Sequence, residues 1–388
     1  MNTNCNNTTP KNPNNQLIGR VLQIVIDFCK KNVVMLIALA LAIITAIIVP
    51  PDAEYLNYFD FKTLTCLFCV LAVVCALRNV RFFYKLAQSI VSIFKNAKIC
   101  VLALVYVTFI GSMLIANDMA LLTFLPLGYI VLTTTGKEKY MAFTFIMQNV
   151  SANLGGMLTP FGNPQNLYLY TKFSIPTLEF MGIMLVPFII SIALITICCL
   201  IFVKADPLEI KEEKIDLPPL KTAIYLLLFA LSIIIVFRVI PYWIGLIVIP
   251  IALLFLDRKA LLKVDYPLLL TFVFFFIFAG NTARIEPVKN LFSYLLEKNA
   301  LLVSILSCQV ISNVPSSILL SQFTGDYKSL LLGVNIGGVG TLISSLASLI
   351  TLREYLKHNP GKSGKYMLLF SAINFGFLIV LTAVALLI

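Results

Sequence analysis

The sequence predicts an all-α polytopic membrane protein that contains an inverted-topology repeat, two re-entrant hairpins and two broken transmembrane helices. Hydrophobic residues make up 60% of the 388 residues and charged residues only 12%, which excludes an ordinary soluble domain. The stretch Asn-Leu-Gly-Gly-Met-Leu-Thr at 153–159 recurs as Asn-Ile-Gly-Gly-Val-Gly-Thr at 335–341, and each stretch interrupts an apolar run. Interrupted apolar segments at corresponding positions of two halves indicate the substrate site of a secondary transporter.

Apolar runs of about span length define the other elements in chain order. They lie at about 31–50, 61–79, 140–170, 175–203, 221–240, 242–256, 265–282, 329–352 and 366–388. Two further runs, 98–134 and 299–323, each carry a polar tip, and each arm beside a tip is about 15 residues long, which is short for a full span. We therefore predict that both runs are re-entrant hairpins, which enter and leave the membrane on the same side.

Four segments follow from these elements. Residues 1–30 are predicted to form a polar tail and an amphipathic interfacial helix, which begins near residue 17. The first membrane repeat covers 31–203, a charged cytoplasmic linker that contains prolines covers 204–220, and the second membrane repeat covers 221–388.

The basic residues indicate how the chain is oriented in the membrane. If the N-terminus is cytoplasmic, 22 of the 29 Lys and Arg residues fall in inside segments, as the positive-inside rule expects. The C-terminus is then outside, and the corresponding spans 61–79 and 265–282 run in opposite directions. The net charge of +11 is dispersed over short loops, so we interpret it as a topology signal and expect no nucleic acid partner. We expect a multi-pass protein whose partner is the lipid bilayer of the cell (inner) membrane.

Histidine and cysteine offer little chemistry for an enzyme. His358 is the single histidine and lies in a basic loop, and most of the nine cysteines sit inside apolar runs. Cys66 and Cys69 have a metal-like spacing, but no second pair accompanies them. An intramembrane enzyme needs a nucleophile and a base, or metal ligands, at one depth. The sequence therefore predicts neither an enzyme nor a cofactor other than a coupling ion.

The first polar tip holds Asn117 and Asp118. Asp118 is the only carboxylate well inside an apolar stretch. A charge near mid-membrane costs roughly 2.5–3.5 kcal/mol on insertion scales, so this carboxylate needs a proton or a partner. We expect Asp118 to be a proton or sodium carrier, or the N-cap of the second hairpin arm, and the two roles can coexist. Asn117 can cap a helix and bind a ligand at once, because an amide both donates and accepts hydrogen bonds.

The second tip and the two broken spans supply further polar groups. Ser312 and Asn313 hold the second tip, which has hydroxyl groups but no carboxylate, and helix capping alone is the alternative role there. The candidate binding residues of the breaks are Gly155, Thr159, Gly162, Asn163, Gln165 and Asn166 in the first, and Asn335, Gly338, Thr341, Ser344 and Ser345 in the second. Glycines and prolines prevent a continuous helix in the first break, whereas the second break could instead be a small-residue packing face. Freed carbonyl groups suit Na⁺, and helix N-termini suit an anion.

The order of these elements resembles the ion transporter superfamily, which includes citrate-transporter-like permeases, divalent anion/sodium symporters, arsenite permeases and related sodium/proton antiporters. The similarity covers about 60–388. The tip Ala116-Asn117-Asp118 looks like the arsenite permease branch, and the break Gly-Asn-Pro-Gln-Asn at 162–166 is similar to the Gly-Thr-Pro-Pro-Asn of the symporters. The resemblance implies a scaffold part and a moving transport part, elevator-like alternating access and often a homodimer.

Together these observations favour a secondary active transporter that moves a small anion or oxyanion and is coupled to H⁺ or Na⁺. Substrate and ion would lie between the tips and the breaks, and a sodium ion would be held by Asn117, Asp118 and Asn313. The alternatives are a Na⁺/H⁺ antiporter with Asp118 as the exchange site and an arsenite-type efflux permease. A negative Asp118 disfavours a multiply charged anion unless the carboxylate is protonated or paired.

Overall fold

The computed structural model describes Gln23, Phe28, Cys29, residues 32–208 and residues 214–388. Apart from the three isolated residues, the predicted polar tail and interfacial helix lie outside the described residues, as does part of the predicted linker. The described chain consists of helices joined by loops.

Helices form most of the described chain. In chain order they are α1 (Val33–Ile48), α2 (Tyr55–Tyr58), α3 (Phe61–Asn79), α4 (Phe82–Val91), α5 (Ala97–Ile115), α6 (Asn117–Thr134), α7 (Met141–Gly155), α8 (Pro164–Lys172), α9 (Thr177–Phe202), α10 (Pro219–Val236), α11 (Tyr242–Leu256), α12 (Arg258–Leu262), α13 (Tyr266–Ala283), α14 (Glu286–Ile311), α15 (Asn313–Leu320), α16 (Tyr327–Ile336), α17 (Leu346–His358) and α18 (Ser363–Ala385). Short 3₁₀ helices at Glu138–Tyr140 and Gly156–Leu158 flank α7.

Eight helices of the described chain are long and apolar enough to cross a membrane. They are α3, α5, α6, α9, α10, α13, α14 and α18, and the apolar helices α1 and α11 are shorter. Lipid offers no hydrogen-bond partners to the main chain. A helix satisfies its own N–H and C=O groups, so apolar helices of this length can cross the membrane. The predicted class, an α-helical polytopic membrane protein, is confirmed.

Two helix pairs are each joined through a single residue with positive φ. Ala116 (φ 66°, ψ 149°) separates α5 from α6, and Ser312 (φ 77°, ψ 158°) separates α14 from α15. Both residues adopt a conformation that L-residues rarely take, so the backbone reverses within one residue at each tip. The tips lie where the sequence placed them.

The arms of the two pairs differ in length. The helices α5 and α6 have 19 and 18 residues, so the estimate of about 15 residues per arm was too short for the first pair. In the second pair, α14 is interrupted at Asn299 (φ −164°, ψ 90°), whose Oδ1 accepts a hydrogen bond from the amide of Leu302 at 2.9 Å. The arm that follows this new N-cap starts at Ala300, and α15 has only 8 residues.

Both predicted breaks in the middle of an apolar run are present. The helix α7 passes through one 3₁₀ turn and an irregular segment before α8 begins at Pro164. The helix α16 ends at Ile336, and α17 begins only at Leu346. The second break is therefore a true interruption of the helix and not merely a stripe of small residues.

One loop cluster brings the two ends of the first helix pair together. The amide of Ala97, at the start of α5, donates to the carbonyl of Asp206 at 2.8 Å. The carboxylate of Asp206 accepts hydrogen bonds from Lys139 Nζ at 2.8 Å and from Tyr140 Oη at 3.2 Å. Both donors follow the end of α6 by a few residues. The pair therefore starts and finishes at the same end of the molecule.

Candidate functional site

A cavity of about 970 Å³ lies where the two tips meet the two breaks. Six of the residues that the sequence nominated line it: Asn117, Asp118, Gln165, Ser312, Asn313 and Ser345. The other nominated residues are absent from its lining and form the layer behind it: Gly155, Thr159, Gly162, Asn163, Asn166, Asn335, Gly338, Thr341 and Ser344. The site predicted from the sequence therefore divides into a wall that faces the cavity and a support that holds this wall.

Four helices present their N-termini to this cavity. The helices α6, α8, α15 and α17 begin at Asn117, Pro164, Asn313 and Leu346, and all four residues line the cavity. The first turn of a helix carries the positive end of the helix dipole. Their convergence gives this part of the cavity a positive potential without any basic side chain at the tips.

The first tip is fixed by hydrogen bonds from Asn117. Its amide N–H donates to the carbonyl of Gly162 at 3.0 Å, and its Nδ2 donates to Oδ1 of Asn153 at 3.1 Å. Its own Oδ1 accepts from the amide of Asp118 at 2.9 Å. These contacts tie the start of α6 to both sides of the first break.

The second tip makes the corresponding contacts. The amide N–H of Asn313 donates to the carbonyl of Ser344 at 2.9 Å, and Asn313 Oδ1 accepts from the amide of Val314 at 2.9 Å. The hydroxyl of Ser312 also reaches the carbonyl of Ser344, at 3.3 Å. Each tip thus hydrogen-bonds through its main chain to the irregular segment of the break in its own half.

A threonine anchors each break to the helix before its tip. Thr159 Oγ1 donates to the carbonyl of Met113 at 2.7 Å, and Thr341 Oγ1 donates to the carbonyl of Gln309 at 3.0 Å. Both acceptors lie four residues before the tip asparagine of their half. Both halves therefore contain the same contact between a threonine and the helix before the tip, although the neighbouring residues differ.

Amide side chains join the two breaks to each other. Asn335 Oδ1 accepts from Asn163 Nδ2 at 3.2 Å, and Asn335 Nδ2 donates to Asn166 Oδ1 at 2.7 Å. In the reciprocal direction, Ser345 Oγ donates to Asn153 Oδ1 at 2.8 Å. All five side chains are buried, so the network holds the halves together in a region that water reaches poorly.

Side-chain amides also satisfy several carbonyl groups that the breaks release. Asn166 Nδ2 lies within hydrogen-bonding distance of the carbonyls of Gly156, at 3.1 Å, and Met157, at 3.3 Å. Gln309 Nε2 does the same for Gly337, at 2.9 Å, and Val339, at 3.2 Å. These oxygens are already paired, so they are poor candidates for the sodium ligands expected of opened helices.

Comparison with known proteins places this architecture in a family. A family model described as citrate transporter (CitMHS) matches residues 21–324. The chain belongs to the citrate transporter family. It is 35% identical over 357 residues to an uncharacterized transporter of Methanocaldococcus jannaschii, which covers 90% of this chain and 96% of that protein. It is 29% identical over 286 residues to the inner membrane protein YbiR of Escherichia coli, which covers 70% of this chain and 74% of that protein.

Family membership and the eight apolar helices together make this protein an integral, multi-pass membrane transporter. The matched range of the CitMHS model includes both tips and the first break. The second break lies beyond that range but within the share of the chain that is similar to the archaeal transporter.

In this member of the citrate transporter family, Asp118 is placed at the cavity without a capping role. The residue at the N-cap position of α6 is Ala116, which makes no side-chain capping bond, and the first-turn amide of Asp118 is bound by Asn117 Oδ1. The Oδ1 atom of Asp118 is buried and has no hydrogen-bond partner among the described residues. Asp118 is therefore not the N-cap of α6, and its role as a proton or sodium carrier stays a prediction.

The structure adds charged residues that the sequence analysis did not nominate. Arg78, Lys263, Asp265, Arg353 and Glu354 line the cavity together with the tips. Arg78, Lys263 and Asp265 lie at helix ends or in a loop, and Arg353 and Glu354 lie within α17 beyond the second break. A search for breaks inside apolar runs does not examine these positions. One signal in the sequence could have drawn attention to Asp265. Like Asp60, it precedes an aromatic residue at the start of a long apolar helix.

Two of these charges have defined structural contacts. Arg78 Nη2 lies 3.5 Å from the carbonyl of Leu122, which has no helical donor because Pro126 stands four residues later. Asp265 Oδ1 caps α13 by accepting from the amide of Leu268 at 3.0 Å. Among the described residues, no group of three or more His, Cys, Asp or Glu is arranged to hold a metal ion.

Proposed function

We propose that this protein is a secondary active transporter that moves a small anion across the cell (inner) membrane, coupled to H⁺ or Na⁺. The observation that carries the proposal is the convergence of four helix N-termini on one cavity inside a membrane protein. The positive ends of four helix dipoles favour carboxylate or oxyanion oxygens at this cavity without a buried lysine or arginine. The citrate transporter family makes a carboxylate anion the first substrate to test.

We further propose that the halves form an inverted repeat and that the two helix pairs are re-entrant hairpins. The recurrence of the tip and threonine hydrogen bonds in each half supports the repeat. The shortness of α15 and the N-cap at Asn299 support a hairpin in the second half. The joining of both ends of the first pair to Asp206 supports a hairpin in the first half.

Transport requires that the cavity open alternately to the two sides. In the proposed mechanism, the tips and breaks move as one transport part against a scaffold part, and two copies of the chain form a homodimer. The buried amide network is suited to this role, because it fixes the tips to the breaks while the part moves as a unit.

Coupling requires that ion and substrate change each other's affinity. Asp118 lies beside the helix N-termini, so its negative charge opposes an anion bound there. A proton or Na⁺ at Asp118, Asn117 and Asn313 removes this repulsion, and bound anion in turn favours the ion. The chain's substrate would therefore move together with the ion.

The second candidate function is a Na⁺/H⁺ antiporter with Asp118 as the exchange site. The buried, unpaired Oδ1 of Asp118 favours this candidate, since an exchange site needs a carboxylate that no fixed donor occupies. The two functions differ in what crosses the membrane, because the antiporter needs no anion.

Flux measurements in proteoliposomes decide between these functions. We expect radiolabelled citrate, succinate, sulfate or arsenite to accumulate when an ion gradient is imposed, and we expect Asn117→Ala and Asn313→Ala to reduce that uptake at least tenfold. Asn374→Leu, a change in α18 away from the cavity, serves as the control and should transport like the wild type. Proton release driven by Na⁺ alone, with no anion flux, would establish the antiporter instead.

A further inference from the structure

The helix α4 is a short element between α3 and the first helix of the tip pair α5–α6. Its 10 residues rise by about 15 Å, whereas the hydrocarbon core of a bilayer is about 30 Å thick. The chain enters α4 through Arg81, whose φ of 59° lies in the left-handed region that L-residues rarely adopt. This residue ends the helical path of α3, so α4 is a separate helix that is too short to cross the membrane.

Protein covers only part of the apolar surface of α4. Phe83 and Val91 lie on its buried face. Leu86 and Ile90 form the adjacent stripe and are 52% and 40% exposed, and Ile93, just beyond the helix, is 71% exposed. Residues four apart lie on one side of a helix, so Leu86 and Ile90 form a continuous exposed apolar strip.

The charges around this strip all have one sign. Residues 78–98 include five basic residues and no acidic residue. Lys95 is exposed and Lys85 is half-buried, and within the part of the chain that the structure describes neither forms an ion pair. A lysine can lay its apolar stem along such a strip and extend its ammonium group to the level of lipid headgroups. An apolar strip edged by basic side chains complements a membrane surface that carries negative charge.

The second half of the chain contains a comparable segment with a different charge. Residues 286–298 precede the short arm of the second tip pair, as α4 precedes the first pair, and their Tyr294 is 54% exposed. This segment contains two lysines and two glutamates, and Lys289 lies 3.8 Å from Glu286. Both segments therefore expose apolar side chains, but only the segment around α4 has an excess of positive charge.

Hydrogen bonds hold both ends of α4 at the side assigned to the cytoplasm. Before the helix, Asn79 Oδ1 accepts from Lys263 Nζ at 2.8 Å. After it, the carbonyl of Lys95 accepts from the amide of Leu208 at 3.0 Å. The cytoplasmic leaflet is the one that carries a negative surface potential from anionic lipids. The charge of α4 therefore matches the leaflet beside which the positive-inside rule places it.

We propose that the surface formed by Lys85, Leu86, Ile90, Ile93 and Lys95 binds anionic phospholipids of the cytoplasmic leaflet. Acyl chains cover the apolar strip, and the two lysines bind the phosphate groups of the lipid headgroups. Because α4 joins α3 to the first tip pair, the bound lipids hold this connection at the membrane surface. The proposal does not depend on which solute the protein transports.

The test compares three double variants of the full-length protein in nanodiscs of phosphatidylcholine that contain an increasing fraction of phosphatidylglycerol. Lys85→Gln with Lys95→Gln removes two charges from the proposed surface. Lys289→Gln with Lys298→Gln is the matched control, because it removes two charges from the segment 286–298. Lys85→Arg with Lys95→Arg retains the charge and should behave like the wild type.

Native mass spectrometry of the released protein measures the first readout, the retention of each lipid. We expect the wild type to prefer phosphatidylglycerol and the Lys85→Gln, Lys95→Gln variant to bind it at least fivefold more weakly, since one basic residue near an anionic surface contributes a factor of about five. The control pair should retain the wild-type preference.

Thermal unfolding in the same nanodiscs gives the second readout. A ligand that binds only the folded state stabilises it, so we expect the Tm of the wild type to rise with the fraction of phosphatidylglycerol. The Lys85→Gln, Lys95→Gln variant should melt like the wild type in phosphatidylcholine alone and gain little from the anionic lipid. Added NaCl should weaken the gain of the wild type, because salt screens exposed charges.

Three results would overturn the proposal. Equal losses in the two glutamine variants would show that net charge, and not the surface of α4, selects the lipid. Binding of phosphatidylglycerol by the wild type that is insensitive to NaCl would exclude the lysines as its ligands, and this measurement needs no variant to fold. Displacement of phosphatidylglycerol by soluble glycerol phosphate would indicate a site for free phosphate in place of a lipid surface.

Discussion

At the two breaks, amide side chains donate hydrogen bonds to main-chain carbonyls. Inside a continuous helix, main-chain N–H groups would make these bonds. Asn166 and Gln309 each donate to carbonyls that the opened helix has released. An unpaired carbonyl away from water costs several kcal/mol, so a break at membrane depth needs such donors. The amides are therefore part of the reason that these helices can be opened at all.

The residue-scale consequence is sharpest at Asn335, whose side chain binds both Asn163 and Asn166 across the two halves. We expect Asn335→Leu to lower the free energy of unfolding by about 2–4 kcal/mol, because it leaves the buried Asn166 Oδ1 without a donor and removes one acceptor of Asn163 Nδ2. The matched control is Asn374→Leu. The only hydrogen bond of the Asn374 side chain among the described residues is local, to the carbonyl of Phe370, so this change should be neutral or slightly stabilising.

Both variants are unfolded in detergent by titration with a denaturant, and the loss of helix is monitored by far-UV circular dichroism. The two titration curves give the difference in the free energy of unfolding. Equal losses in the two variants would show that the network contributes no more than an isolated buried amide. A loss confined to Asn335→Leu would establish it as the joint between the halves.

At the residue scale, the sequence predicted the tip asparagines and Asp118 because polar groups inside apolar runs stand out. It did not predict Asp265, since an aspartate at the first turn of a helix has an ordinary explanation as an N-cap. Only the three-dimensional structure places this cap beside Asp118, across elements separated by more than a hundred residues. Nominated residues that line no cavity, such as Asn335, have a supporting role. This role becomes apparent only from their hydrogen bonds in the three-dimensional structure.

At the element scale, close backbone contact makes the first break possible. A methyl group at Gly162 would overlap the carbonyl oxygen of Gly156 on the opposite side of the irregular segment. The carbonyl of Gly162 is also the acceptor for the tip amide of Asn117. The shape of the break and the position of the tip are therefore linked through one glycine.

We expect Gly162→Ala to reduce transport at least tenfold, because the segment must shift and take the tip with it. The control is Gly182→Ala in α9, where an added methyl group meets nothing within 4 Å. That change should leave transport unaltered and stabilise the helix by up to about 1 kcal/mol. Uptake assays at matched protein density compare them, and normal transport by Gly162→Ala would show that the break tolerates rearrangement.

The loop cluster around Asp206 supplies a pH prediction at the same scale. The hydrogen bond from Lys139 holds the pKa of the Asp206 carboxyl below its usual value of 3.8. A carboxyl whose folded-state pKa is lowered stabilises the fold above its unfolded-state pKa, and this stabilisation disappears as the pH falls through the folded-state pKa. Since the pair is exposed to solvent, the contribution is small and sensitive to salt.

We expect Asp206→Asn to lower the Tm of the detergent-solubilised protein near neutral pH and to match the wild type once the pH is below the lowered pKa. Asp216→Asn, at an exposed position of the same linker, should have no effect at any pH. Melting curves at low and high salt measure the difference. A Tm difference that persists at acid pH would exclude the ion pair as its cause.

The boundaries of an element were predictable where the hydropathy of the chain changes or where polar residues interrupt an apolar run. The spans, both tips and both breaks lie close to their predicted positions, because lipid leaves few alternatives to a helix. The amphipathic helix α4 was not predicted, since its buried residues Phe83, Ala87 and Val91 lie among basic residues that were assigned to a loop. The interruption at Asn299 and the length of the arms depend on packing, which local sequence does not report.

At the scale of the whole molecule, contacts between distant loops agree with the distribution of charge. Lys139 binds Asp206, and Lys263 Nζ donates to Asn79 at 2.8 Å; all four residues lie in segments assigned to the inside. On the other side, a similar set of contacts joins segments assigned to the outside. These are Arg284 with Asp52 at 2.6 Å and Lys328 with Glu179 at 3.3 Å.

This agreement leads to a prediction about the side to which the large cavity opens. Its charged lining, at Arg78, Lys263, Arg353 and Lys357, comes from segments that the positive-inside rule assigns to the cytoplasm. We therefore expect the cavity to open towards the cytoplasm in this conformation. A cysteine at Lys357 should react with a membrane-impermeant maleimide only from the cytoplasmic side, and a cysteine at Lys289 only from outside.

The labelling experiment uses right-side-out and inside-out vesicles with Cys5→Ser as the parent, because the other eight cysteines are buried or half-buried. If both introduced cysteines react from one side, the predicted topology of the second repeat, which contains both positions, is wrong. If each reacts from the side opposite to that expected, the repeat survives but the cavity faces outward. Citrate that slows labelling at position 357 and not at 289 would link the inward-facing cavity to the anion, because only the former residue lines it.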